Sequence, residues 1–165
     1  METNTIQKPK ASPKDVFTHL LAIVTLYLSS IALGTLLFQF VNLGFPDALQ
    51  GDGYWVMQSA RSAMRFAIAS LIVAFPAYLL TMRYLFRGYA KEPAKRDLRI
   101  RKWLIYFTLF AAALVMIGDL IALINEFLGG ELTVRFLLKA LSVLLIAAGV
   151  FYYYLTDVRK TPNDE

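Results

Sequence analysis

Trp103-Leu-Ile-Tyr-Phe-Thr-Leu-Phe-Ala-Ala-Ala-Leu-Val-Met-Ile-Gly-Asp119-Leu-Ile-Ala-Leu-Ile-Asn-Glu-Phe-Leu128 decides the fold. At about 1.5 Å per residue this run covers the ~30 Å hydrocarbon layer of a bilayer as a single helix. It also carries Asp119, Asn125 and Glu126, and Asp119 falls about 13 Å inside the Leu128 end, near the midplane. An unpaired carboxylate at that depth costs about 2.5–3.5 kcal/mol on insertion scales, so the fold has to supply a cation, water or a proton. Thr108, Ala112, Asp119 and Glu126 fall along one narrow stripe, the last three because sevenfold spacing returns to nearly the same face. With the small Ala112 and Ala122 beside it, that face is expected to point into a bundle.

Three further apolar blocks follow the same logic. Ser12-Pro13-Lys14-Asp15 reads as a helix start, with Ser12 as N-cap, Pro13 in the first turn and Asp15 as the acidic box residue. The first span is read over about 16–41, too long for a removable signal sequence. Asn42 to Tyr54, with Gly44, Pro46, Asp47, Gly51, Asp52 and Gly53, reads as a loop without the spacing of a calcium site. Trp55 marks an interface. The second span is read over about 56–86; Arg61 and Arg65 share a face in its first half, and Pro76 is expected to kink it. Small residues Ser59, Ala63 and Ala67 repeat at fourfold spacing and allow close packing. The fourth span is read over about 132–155 after the Gly129-Gly130 turn, which predicts an antiparallel hairpin with the 103–128 span. Arg135, Lys139 and Ser142 are expected on its inward face, and Tyr152 to Tyr154 at its far end as an aromatic belt.

The expected architecture is therefore all-α, a polytopic membrane protein with a bundle of four transmembrane helices. It comprises a single domain over 12–158 between tails at 1–11 and 159–165. Of the 165 residues, 58% are hydrophobic, gathered in long blocks that belong to a membrane class. The net charge of +5 comes from basic residues collected at one side of the spans, without a nucleic-acid-binding motif. Lys8, Lys10, Lys14, Arg159, Lys160 and the 83–102 connection lie on that side, while Arg61, Arg65, Arg135 and Lys139 lie toward the other. By the positive-inside rule both termini are cytoplasmic. The connection holds Arg83, Arg87, Lys91, Lys95, Arg96, Arg99, Arg101 and Lys102. These determine topology and form a candidate dock for anionic lipid headgroups.

Candidate function concentrates in an outer charge cluster: Arg61, Arg65, Asp119, Glu126, Glu131, Arg135 and Lys139. Opposite charges in low dielectric select one another, so Asp119 is expected to pair with Arg65 or Lys139. The chain has no cysteine and one histidine, His19, read as a packed or interfacial residue. No Ser-His-Asp set, HExxH motif or phosphate-binding glycine loop is present, so neither an enzyme, a metal site nor a cofactor is expected. Expected partners are the bilayer with its anionic lipids, a membrane-protein partner or a second copy, and no nucleic acid. A non-enzymatic accessory or scaffold subunit leads; the rival is a small transporter or ion-coupled carrier that uses Asp119.

Three strings, Ile68-Ala-Ser-Leu-Ile-Val-Ala-Phe-Pro76, Ile117-Gly-Asp-Leu-Ile121 and Phe127-Leu-Gly-Gly-Glu-Leu-Thr-Val-Arg-Phe-Leu-Leu-Lys139, resemble a family of bacterial four-helix integral membrane proteins known only as a domain of unknown function. The resemblance spans nearly everything between Asp15 and Val158. It implies a bacterial cytoplasmic membrane and assigns no activity, cofactor or catalytic residue.

Overall fold

The computed structural model describes residues 12–45, 53–130 and 132–159. Its long helices are α1 (Pro13–Gly44), α2 (Gly53–Lys91), α3 (Arg99–Gly129) and α4 (Val134–Arg159), with a single 3-10 turn, Pro93–Asp97, between α2 and α3. Each of the four is long and apolar enough to cross a membrane. The start of α1 is as read: Asp15 N–H donates to Ser12 Oγ at 3.2 Å, and Ser12 N–H donates to Asp15 Oδ2 at 3.2 Å.

Every helix outlasts the span read for it at one end or both: α2 opens at Gly53 and takes in Tyr54 of the expected loop, and α4 runs from Val134 to Arg159 rather than over 132–155. The loop expected from Asn42 begins later, because α1 continues through Asn42 to Gly44. The basic connection is mostly helical: Arg83, Arg87 and Lys91 ride the last turns of α2, and Arg99, Arg101 and Lys102 the first turn of α3. Helix α2 also runs through Pro76 without interruption. Pro46, Asp47, Gly51, Asp52, Glu131, Lys160 and the N-terminal residues Lys8 and Lys10 lie outside the described residues.

The bundle is two antiparallel hairpins. Helix α1 packs along α2 and α3 along α4, as the Gly129-Gly130 turn predicts, and the hairpins meet chiefly through α1 against α4. Gly130 closes the second hairpin at φ 73°, in the left-handed region where glycine has no Cβ to clash. Helix α2 sits at the edge, with α1 as the only long helix that its backbone approaches among the described residues.

Small residues permit the α1–α2 contact. Ala60, Ala67, Ala74 and Thr81 are buried at sevenfold spacing on α2, and Ala22, Thr25, Ser29 and Ala32 are buried on α1. A repeat of seven keeps one face on a left-handed crossing partner, and small side chains let the backbones approach where lipid removes the hydrophobic drive between helices. This replaces the Ser59-Ala63-Ala67 stripe of the sequence reading: Ala67 is only 1% exposed, whereas Ser59 lies on the surface. Hydroxyls inside the bundle are satisfied locally. Thr25, Ser29, Thr81, Thr108 and Ser142 each donate to the carbonyl four residues earlier, at 2.7–2.9 Å.

Candidate functional site

At the basic end, one side chain from each helix enters a continuous polar network. Helix α1 contributes His19, which continues the buried face of Ala22, Thr25 and Ser29. Its Nδ1 lies 2.6 Å from the Asp15 carbonyl oxygen and its Nε2 2.6 Å from the Tyr89 hydroxyl. A carbonyl can only accept, so Nδ1 carries the proton, and in the neutral ring Nε2 accepts from Tyr89 O–H. Tyr89 comes from the last turn of α2 and is buried. Arg101 of α3 stands over the Tyr89 ring at 5.3 Å and donates to Asp157 Oδ2 of α4 at 2.6 Å. Its other terminal nitrogen donates to the Arg96 carbonyl at 3.0 Å, which ties the 3-10 turn to the network. Tyr78 of α2 extends the same layer toward Tyr153 and Tyr154 of α4.

This layer corrects two sequence expectations. Arg101, grouped with the headgroup-binding cations, is buried and spends its guanidinium on Asp157, the Arg96 carbonyl and the Tyr89 ring. The aromatic belt is split: Tyr152 faces outward, while Tyr154 is 5% exposed and turns into the bundle. Asp157 was not singled out by the sequence reading. The available signal was a carboxylate at the otherwise basic end of an apolar helix, opposite a run of eight cations.

The remaining basic residues divide by partner. Lys95 bridges Glu92 at 3.2 Å and Asp15 at 3.8 Å, and the hydrogen bond to Glu92 holds its ammonium above the ordinary lysine range. Lys102 pairs with Asp97 at 3.2 Å. Arg83, Arg87, Lys91, Arg96 and Arg99 are exposed. A crevice of about 570 Å³ beside them is lined by Asp15, Tyr84, Arg87, Lys91, Glu92 and Lys95 among others.

The outer charges are arranged differently from the expected cluster. Arg135 donates to Asn42 Oδ1 of α1 through Nε at 3.1 Å and through a terminal nitrogen at 2.8 Å. Lys139 stands over the Phe38 ring of α1 at 5.7 Å. Both outer cations of α4, Arg135 and Lys139, therefore address α1. Asp119 and Glu126 are half-exposed on α3, and Arg61 and Arg65 are exposed on α2. Among the described residues no ion pair joins any of these four to another charge. The expected pairing of Asp119 with Arg65 or Lys139 is absent because α2 packs on α1 rather than on α3, and Lys139 is turned to Phe38. Glu131 lies outside the described residues.

Between these two layers the interior is apolar. A cavity of about 370 Å³ between α1, α3 and α4 is walled by Ile31, Gly34, Ala112, Val115, Ile146, Ala147 and neighbours; its polar members include Tyr27 and Thr108. Those two groups engage each other: Tyr27 O–H donates to Thr108 Oγ1 at 3.0 Å, and Thr108 is 1% exposed.

A family model described as Domain of unknown function (DUF5671) matches residues 15–154, and the chain belongs to that family. No curated protein and no solved structure matches the chain.

Proposed function

We propose that this family member is an integral membrane protein that works as a non-enzymatic accessory or scaffold subunit. In this proposal both termini and the basic layer lie on the cytoplasmic side of a bacterial cytoplasmic membrane. The observation that carries the scaffold reading is the apolar interior separating the His19–Tyr89–Arg101–Asp157 layer from Asp119. An ion-coupled carrier needs an accessible polar site near the midplane and a route onward from it. Here the buried hydroxyls along that route are bonded to their own helices or, for Tyr27 and Thr108, to each other. Exposed Arg83, Arg87, Lys91 and Arg99 at the basic end suit anionic headgroups, a contact worth about 1 kcal/mol per cation near the surface.

One observation favours the carrier reading: Asp119 is half-exposed and has no charged partner among the described residues. Flux assays separate the two. Protein reconstituted in liposomes is expected to pass protons and anions no faster than an Asp119→Asn variant. A reproducible flux abolished by that substitution would reject the scaffold in favour of the carrier. Orientation has its own test in the cysteine-free background. Tyr54→Cys is expected to react with an impermeant maleimide from outside whole cells, and Ala94→Cys only after permeabilisation; the reverse sidedness overturns the proposed topology.

A further inference from the structure

Among the described residues, four outer charges have no ion-pair partner; they are opposite in sign, and those residues leave Arg61 and Arg65 exposed and Asp119 and Glu126 half-exposed. On α2 the buried face runs through Ala60, Ala67 and Ala74 against α1. At 100° per residue, Arg65 points about 160° away from Ala67, and Arg61 about 120° away. Gln58 and Ser62 join them, so the outer half of α2 presents the exposed stripe Gln58-Arg61-Ser62-Arg65 to whatever surrounds the bundle. Farther along the same side are apolar Ile72 and Val73, also exposed. Arg65 sits about 18 Å from the Gly53 end, too deep to leave facing hydrocarbon without cost.

Helix α3 shows the converse. Its buried residues stop at Ala112. Beyond that point, past the cavity that Val115 walls, Ala122 is exposed and Asp119 and Glu126 half-exposed on the continuation of the same face. Asp119 lies about 15 Å and Glu126 about 4–5 Å from the Gly129 end, on the same side of the bundle as the Gly53 end of α2. Since α2 and α3 run in opposite directions across the bilayer, Arg65 and Asp119 come within about 3 Å of one depth, while Arg61 stands about 7 Å deeper than Glu126, a gap that a long arginine side chain reaching outward spans.

We infer that two copies of this chain associate in the bilayer through these faces, Arg65 of one copy against Asp119 of the other and Arg61 against Glu126. A two-fold arrangement is the closed one that would engage both faces of both copies. Small Ala122 on α3 and Ser62 on α2 admit close approach at the contact. The pairing presupposes, with the scaffold reading, that the four helices lie in a bilayer; it is independent of whether ions cross.

Charge exchange tests it with the full-length chain, by energy transfer between donor- and acceptor-labelled copies diluted in liposomes. Wild-type copies are expected to associate. Arg65→Asp alone and Asp119→Arg alone each set like charges against each other at both contacts, and self-association should weaken about 30-fold or more. Mixing the two variants restores both contacts, as does placing both substitutions on one chain, so transfer should return to near the wild-type level. That recovery also shows that the variants fold. Should both reversals fail to fold on their own, Arg65→Gln and Asp119→Asn provide the milder comparison, each expected to weaken transfer. Three results overturn the pairing: wild-type copies that stay monomeric in lipid, reversals that associate as wild type does, or folded variants whose mixture shows no recovery. A monomeric wild type would leave lipid or another protein as the cover of these faces. Liposome flux reads the scaffold proposal separately, so either can fail alone.

Discussion

Replacing Arg101 with alanine is expected to cost the bundle about 3 kcal/mol. Breaking a buried ion pair typically costs about 3–5 kcal/mol, because the abandoned charge stays buried. The lower figure fits here because the Asp157 side chain is 33% exposed, against 9% for Arg101, so water reaches the carboxylate that the guanidinium leaves. The substitution also removes the cation from over Tyr89 and the donor to the Arg96 carbonyl, releasing α2 and the 3-10 turn together. The measurement is unfolding in detergent micelles titrated with a denaturing detergent, followed by helicity. Lys102→Ala is the internal standard, since its pair with Asp97 is exposed on both sides and exposed pairs contribute about 0–1 kcal/mol. Equal losses for the two variants would remove the network's role as a fastening. Combining Arg101→Met with Asp157→Leu should recover much of the loss, because an apolar pair leaves no charge behind.

The second large effect belongs to Ala67. At 1% exposure in the α1–α2 contact it has no room for a larger side chain. Ala67→Phe should cost about 1–3 kcal/mol, the usual penalty for overpacking, or separate the hairpin outright. Ala69→Phe, two residues on and facing outward, adds the same ring where the surface already accepts Phe66 and Ile68, and should be close to neutral. The same unfolding titration distinguishes them. Indistinguishable midpoints would mean that α2 is held by something other than the small-residue contact.

The fold was legible in the sequence because it depends on position along one axis. Length, hydropathy and capping place the helices, and Ser12 and Gly130 behave as their local chemistry dictates. Thr108 and Ala112, four residues apart on the face read as inward, are buried. Rotation about each axis and the order of helices are harder to read, because in lipid an apolar residue is at home on either side. Depth brought Arg65 and Asp119 to one level, but the level does not reveal that α2 borders α1 and turns its arginines away. The alanines at 60, 67 and 74 carry that information. Fourfold and sevenfold stripes both pass through Ala67, and only the sevenfold one stays in the interface. Arg101 was obscured by its neighbours: eight cations in twenty residues look alike until one is buried, and its partner Asp157 is 56 positions away. His19 and Tyr89, 70 positions apart, were hidden by the same distance.

The placement of the polar layer at one end has a mechanical consequence. Side chains from all four helices are tied together where His19, Tyr89, Arg101 and Asp157 meet, while toward the other end α3 runs beyond its last buried residue, Ala112. All four helices are thus fastened together at the basic end, whereas at the other end the side-chain ties between hairpins among the described residues, Arg135 to Asn42 and Lys139 to Phe38, join α4 to α1 alone. Helix α2, with 39 residues, measures about 58 Å against a hydrocarbon layer of about 30 Å. A bilayer meets such a mismatch with helix tilt, and because α2 packs along α1 from Ala60 to Thr81, the two would tilt as one hairpin.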